Sequence, residues 1–313
     1  MLFKSIIFIT LETSVAMSLV SMIFGSLFWG IAFADFSDIL VVVSATMILG
    51  LTNSVLTSEI AFISFKKGLD PDVIVYPIMS TVADIVITLC YVFTLNLFFS
   101  SGFVGRYIVI VLGVALIIFS LDILPRCIHN QGFVKTIKES FLTVVFAAFI
   151  VNVTGTVLRD IGEIVGRRKE IYTVYPALID TVGDVGSVVG STATSKLALG
   201  LLKPSFYAMR NHATRIFASW TASIIVFILY SLISLFTQGM FMLHVFLGFA
   251  SLLLITNIIA VSAIVLISYA VAILTFRKGL DPDNFVIPIE SSLADCITSV
   301  ALLVALFLLS YMV

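Results

Sequence analysis

Charge is what this chain has least of. Only 11% of its 313 residues are Asp, Glu, Lys or Arg, against 60% hydrophobic, and the mean hydropathy is +1.20. Soluble domains carry roughly a quarter charged residues, so a water-soluble fold is excluded. The net charge of -1 leaves no basic face for nucleic acid. Cysteine is scarce too: Cys90, Cys127 and Cys296 show neither paired nor metal-ligand spacing, and so give no disulfide framework. The three histidines, His129, His212 and His244, are scattered and suggest no metal cluster. Ser, His and Asp form no recognisable nucleophile arrangement, so the chain does not read as an enzyme. Residues 1–34 are apolar for too long to be a cleaved signal peptide and lack a small-residue cleavage site, which makes them a retained span.

What is there is a series of long apolar runs. A bilayer core about 30 Å thick needs roughly 20 such residues per helix. On that rule nine membrane helices are expected, near residues 5–33, 38–65, 73–99, 105–124, 139–158, 174–198, 214–237, 243–275 and 284–311. The longest polar connections fall at 125–138, 159–173 and 203–211, and none is long enough for a separate soluble domain. With the N-terminus cytoplasmic, eleven Lys and Arg face inward and five outward, which favours N-inside and C-outside. The Arg167, Arg168 and Lys169 cluster is the dissenting loop.

The chain also repeats itself. Lys67-Gly68-Leu69-Asp70-Pro71-Asp72 recurs as Lys278-Gly279-Leu280-Asp281-Pro282-Asp283, and twelve of eighteen positions match at a constant offset of 211. Helices 1–3 correspond to helices 7–9, with both loops on the inner face. The fourth helix supplies the extra crossing that makes the two units parallel, related by an axis along the membrane normal. The boundaries expected are 1–102 for a first, three-helix unit, 103–130 for the linking helix and 131–313 for a second, five-helix unit. The first unit is incomplete, beginning at the equivalent of helix 7. That implies either a coding region starting upstream of Met1 or a partner, or second copy, that completes the unit.

Each copy carries one acid, Asp84 or Asp295, to mid-depth. An unpaired charge there costs roughly 3 kcal/mol on insertion scales. A protonated or hydrogen-bonded structural acid is the bland reading. Two repeat-related carboxylates facing one axis and sharing a cation is the functional one, and hard divalent cations want such oxygens. Helix 6 holds a second group: Asp180 and Asp184, four apart and so on one face. Gly183, Gly186 and Gly190 remove side chains where a neighbouring helix or a hydrated ion must come close. Glu290 stands where the first copy has Met79; it either shapes a cytoplasmic vestibule or bonds Ser291 or a neighbouring helix. Asn284, three turns before Asp295, offers a carbonyl near the inner mouth. For Asp70, Asp72, Asp281 and Asp283, beside lysine and proline, helix capping is the default explanation.

Helix 6, Pro176-x-x-x-Asp180-x-x-Gly183-Asp184-x-Gly186-x-Val188, resembles the P-x-x-x-G-x-x-G-N-x-G-x-Q element of the MgtE magnesium transporters. The Asp281 to Asp295 stretch resembles the final pore helix of MgtE and of its animal solute-carrier relatives, in which two units are fused through an extra helix. The resemblance implies that Asp295, and Asp84 by repeat, bind Mg²⁺ in the pore. It implies that Pro176, Gly183 and Gly186 line it, with Ser187, Ser80 and Ser291 alongside. Asp180 stands for a glycine, Asp184 for the asparagine and Val188 for the glutamine. That extra negative charge implies tighter cation binding or a different divalent ion.

Together these readings give an all-α polytopic membrane protein of two parallel, pseudo-symmetric MgtE-like units. It sits in the cell membrane and passes divalent cations, Mg²⁺ foremost, through an acidic site between the units. The alternative is a non-conducting membrane subunit or regulator descended from such a transporter.

Overall fold

The computed structural model describes residues 2–28, 30, 36–127, 129–166 and 168–310. Met1 and Arg167, on which two of the expectations above bear, lie outside them. Among the described residues the chain forms nine α-helices: α1 (Leu2–Phe28), α2 (Phe36–Lys66), α3 (Pro71–Phe99), α4 (Gly102–Cys127), α5 (Gln131–Gly166), α6 (Lys169–Ala198), α7 (Ala213–Thr237), α8 (Leu243–Arg277) and α9 (Asp283–Ser310). A 3₁₀ helix, Phe206–His212, leads into α7. Seven of these segments are long and apolar enough to cross a membrane, α6 not among them. Its Asp, Gly, Ser and Thr content lowers its hydropathy, and the other helices of its bundle cover that polarity.

Helices satisfy every backbone group internally, the requirement lipid imposes. One expectation changes at α5. All of 131–138 and of 159–166, expected as polar connection, is helix. Phe133 explains the first extension: it is buried with Cys127 against Ile7, Phe8 and Ile137, so an apolar stripe persists among the charges. Phe8 and Phe133 lie 6.1 Å apart and Phe24 and Phe149 5.5 Å apart, so this part of α5 packs along α1.

The chain divides into two compact units, Met1–Asn152 and Val153–Val313. In the first, α1 packs on α2, α2 on α3, and α4 touches all three. In the second, α7 packs on α8, α8 on α9, and α6 touches all three.

The repeat is visible at hydrogen-bond level. Gly68 and Gly279 take φ of 71° and 72°, the left-handed region in which a side chain is strained. Leu69 N donates to Ser64 O at 3.0 Å, and Leu280 N to Thr275 O at 3.1 Å. Asp70 then accepts from Asp72 N, and Asp281 from Asp283 N, at 3.2 Å each. Capping is therefore what these two aspartates do. Asp283 has a further bond that ties it to α6, with Thr194 Oγ1 donating to Oδ1 at 2.5 Å.

Candidate cation site

In the second unit the functional side chains are positioned by how closely α6 approaches α9. Three α6 glycines face a stripe of α9 side chains spaced four apart, Val286, Glu290 and Ala294. A Cβ on Gly183 would lie 3.5 Å from Glu290 Oε1 and 3.6 Å from the Ala294 methyl. One on Gly186 would come within 2.7 Å of Glu290 Cγ, and one on Gly190 would collide with Val286 Cγ1. Small residues let membrane helices touch backbone to side chain. Of the two roles that glycine spacing permits, close approach of a helix is the one the geometry displays here.

Glu290 is fully buried at this contact, at 0% exposure. Ser187 Oγ donates to its Oε2 at 2.5 Å, so it bonds a neighbouring helix. The charges of Asp184 and Asp295 both reach it, which places the three acids around one stretch of the α6–α9 contact. Asp180, Asp184 and Asp295 are half-buried. Ser299 Oγ donates to the Asp295 carbonyl at 2.5 Å and stands 2.6 Å from the Tyr175 hydroxyl. With the serine proton committed to the carbonyl, Tyr175 is the donor of that second bond, and it ties the start of α6 to α9.

No cationic side chain lies along this stretch of helix. Lys169 and Lys196 sit at the two ends of α6, Arg277 closes α8, and α9 contains no lysine or arginine. Four acids thus sit on two helices, α6 and α9, that carry no Lys or Arg in their middles, and charge at this depth is costly. Even so, no three His, Cys, Asp or Glu among the described residues gather tightly enough to hold a metal by themselves. Hard cations such as Mg²⁺ often use one or two carboxylates and keep several waters.

The remaining expected residues are distributed as follows. Pro176 is exposed within α6 and Asn284 half-buried in the first turn of α9. Ser291 is exposed, its Oγ 3.4 Å from Pro288 O. In the first unit Asp84 is exposed on α3 beside Ile85 and Leu89, while Ser80 is half-buried with its Oγ donating to Pro77 O at 3.2 Å.

One group carried no sequence signal. His212 is fully buried, and Lys196 Nζ, 3.1 Å from Nδ1, donates to it. Nε2 stands 3.2 Å from the Val189 carbonyl and therefore carries the proton. The pair pins the end of α6 to the 3₁₀ helix, a contact between residues sixteen apart that neither periodicity nor spacing announces.

A helical structure of this length and apolarity, with acids along the middle of α6 and α9, defines a polytopic membrane protein. Comparison with known families matches it to MgtE, described as a divalent cation transporter, over residues 2–94 and 175–305. The chain belongs to the MgtE divalent cation transporter family. The two matched regions are α1–α3 and the stretch from Tyr175 in α6 into α9, so the internal repeat is a repeat of this family's unit. Searches of curated proteins and of solved structures returned no match.

Proposed function

We propose that the chain carries divalent cations, Mg²⁺ foremost, along an acidic path in which Asp295, Asp184 and Asp180 attract and partly coordinate the ion. The observation that carries this reading is the convergence of Asp184 and Asp295 on one α6–α9 contact without a basic residue in the middle of either helix. A cation that keeps most of its water needs only this: field strength, one or two carboxylate oxygens, and room. Pro176, Ser187, Ser291 and Asn284 line the same path in this reading, and Glu290 adds charge to it.

Asp84 enters through the repeat. It occupies the position of Asp295 in a helix of the same sequence pattern, and it is exposed on α3. The inner face, assigned from Lys and Arg, holds the N-terminus and both KGLDPD loops, and the C-terminus lies outside. The division at 102 and 130 follows from the same repeat, with α4 as the connecting helix.

The experiment is divalent cation flux into liposomes containing the purified chain. Flux of Mg²⁺ that Asp295→Asn abolishes supports the reading. Absence of flux for every divalent ion, in every oligomeric state, supports the alternative of a non-conducting subunit.

A further inference from the structure

Glu290 has two carboxylate oxygens in different situations. Oε2 accepts from Ser187. Oε1 is buried and has no hydrogen-bond partner among the described residues. It lies against two glycines of α6: a Cβ added to Gly183 would lie 3.5 Å from it, and one added to Gly186 2.8 Å. The other side chains against these glycines are apolar, with Ile264 Cγ1 of α8 only 2.8 Å from where the Gly186 Cβ would be, and Ala294 beside Gly183. The charged groups around it are Asp184 on α6 and Asp295 on α9, both of its own sign. α8 contributes none along this length, its arginine lying at its far end.

A buried carboxylate with an orphaned oxygen, on helices with no Lys or Arg in their middles, is costly as it stands. We propose that Glu290 is a direct ligand of the transported cation, taking it through Oε1 where that oxygen faces Gly183 and Gly186, with Ser187 fixing the other oxygen. This rests on the acidic path proposed above and adds a position where the ion loses part of its water. Apolar walls cannot replace a hydration shell, and Mg²⁺ dehydrates reluctantly and demands near-ideal octahedral geometry. Contact with Glu290 therefore favours Mn²⁺, an oxygen-seeking ion, over Mg²⁺.

The test is equilibrium binding of Mn²⁺ to the purified full chain, read by loss of the free-ion paramagnetic resonance signal, with Mg²⁺ as competitor. Glu290→Gln preserves shape and is expected to weaken Mn²⁺ binding roughly tenfold or more, as loss of a charge-assisted contact does. Mg²⁺ weakens less, so the preference between the two ions narrows. Gly186→Ala carries the same test with the charge kept, because its Cβ takes the place of Oε1; the preference narrows there too. A purely structural role for Glu290 would shift stability and leave that ratio alone. Wild-type affinities and ratio in both variants overturn the proposal. So does a Glu290→Gln chain that binds both ions normally and has lost only the pH dependence of its flux, the behaviour of a proton carrier. Asp295→Asn separates the two levels: if it loses both ions while Glu290→Gln loses neither, the path stands and the Glu290 ligand falls.

Discussion

Both units are built from the same three-helix repeat, and they differ in the helix packed against it. In the second unit that helix is α6, with glycines at 183, 186 and 190 and acids at 180 and 184; in the first it is α4, rich in Val, Ile and Leu. The consequences differ in kind. Against α6 the repeat closes into a continuous core in which Leu253, Val261, Ile264 and Leu302 are buried together. Against α4 it leaves an apolar cavity of about 340 Å³, lined among others by Ala45, Cys90, Thr94 and Val109. Branched side chains hold helices apart, whereas glycine lets them touch, so the fourth helix decides how much of the repeat is packed. It also decides where charge can be kept. The repeat carries an acid to the same place in both units, and beside α6 that acid lies near Asp184 and Glu290.

The largest effect expected from this contrast separates Asp295 from Asp84. Asp295→Asn removes a carboxylate from the packed cluster and weakens divalent binding by about 1.5–3 kcal/mol, the worth of a charge-assisted contact. Asp84→Asn changes an exposed position with no packed acid cluster around it and should weaken binding measurably less. Titration calorimetry with Mg²⁺ on the two variants gives the order directly. Equal losses would mean that the repeat, and not the packing of α6, assigns the acids their roles.

The second expected effect is on folding. Gly190→Ala drives a methyl into Val286 Cγ1 at the α6–α9 contact and should destabilise the second unit by roughly 1–3 kcal/mol, the usual cost of overpacking. Gly248→Ala, at the start of α8, meets nothing within 4 Å. It should be neutral or gain up to about 1 kcal/mol of helix propensity. Thermal unfolding in detergent compares the pair. A tolerated Gly190→Ala would show that the α6–α9 approach has slack, and with it that the glycine spacing is not what sets the contact.

Much of this architecture is legible in the sequence, and the reason is physical. Membrane helices are long uninterrupted apolar runs, and a duplicated hexapeptide fixes its own register, so nine helices and a repeat at 211 follow from counting. The ends of α5 were not legible, since Lys135, Lys138 and Glu139 mask a stripe that rests on Phe133 and Ile137. Nor was the destination of Glu290. Five residues before Asp295, it falls on another side of the helix, and which side is buried depends on how deeply a glycine face a hundred residues earlier lets α9 sink. The acids themselves stood out because charge is rare in this chain. Their partners did not, because serine and glycine are common in membrane helices.

A smaller effect tests the cavity by exchanging the same side chain at repeat-related positions. Ala45 lines the space in the first unit, and its counterpart at the 211 offset is Thr256, fully buried in the second, with its Oγ1 donating to Leu252 O at 2.9 Å. Ala45→Leu fills empty volume and should raise stability by about 0.5–2 kcal/mol, as cavity filling commonly does. Thr256→Leu enlarges a packed core and should lower it by roughly 1–3 kcal/mol. Opposite signs from one substitution would establish that packing density is what distinguishes the units. The same sign at both sites would mean that the first-unit cavity is already occupied, by lipid or detergent, under the conditions of the measurement.

The smallest effect is expected where the units do not differ at all. Asp70 and Asp281 each accept a backbone bond at 3.2 Å from the residue two ahead, each behind a left-handed glycine and ahead of a proline. Replacing either with alanine removes one acceptor from a helix start, worth about 0.5–1 kcal/mol at an exposed cap. Proline in the first turn already fixes the backbone there, which keeps the loss at the low end. Because local geometry is shared, the two penalties should agree closely, whatever fourth helix packs beside them. Asp283→Ala should not follow this rule, since its carboxylate also receives Thr194 of α6 and its loss frees that end of the helix. Amide hydrogen exchange at the first turns of α3 and α9 resolves all three. Matched protection losses for Asp70→Ala and Asp281→Ala, and a loss spreading into the last turn of α6 only for Asp283→Ala, would place the boundary between what the units share and what α6 adds at this one hydrogen bond.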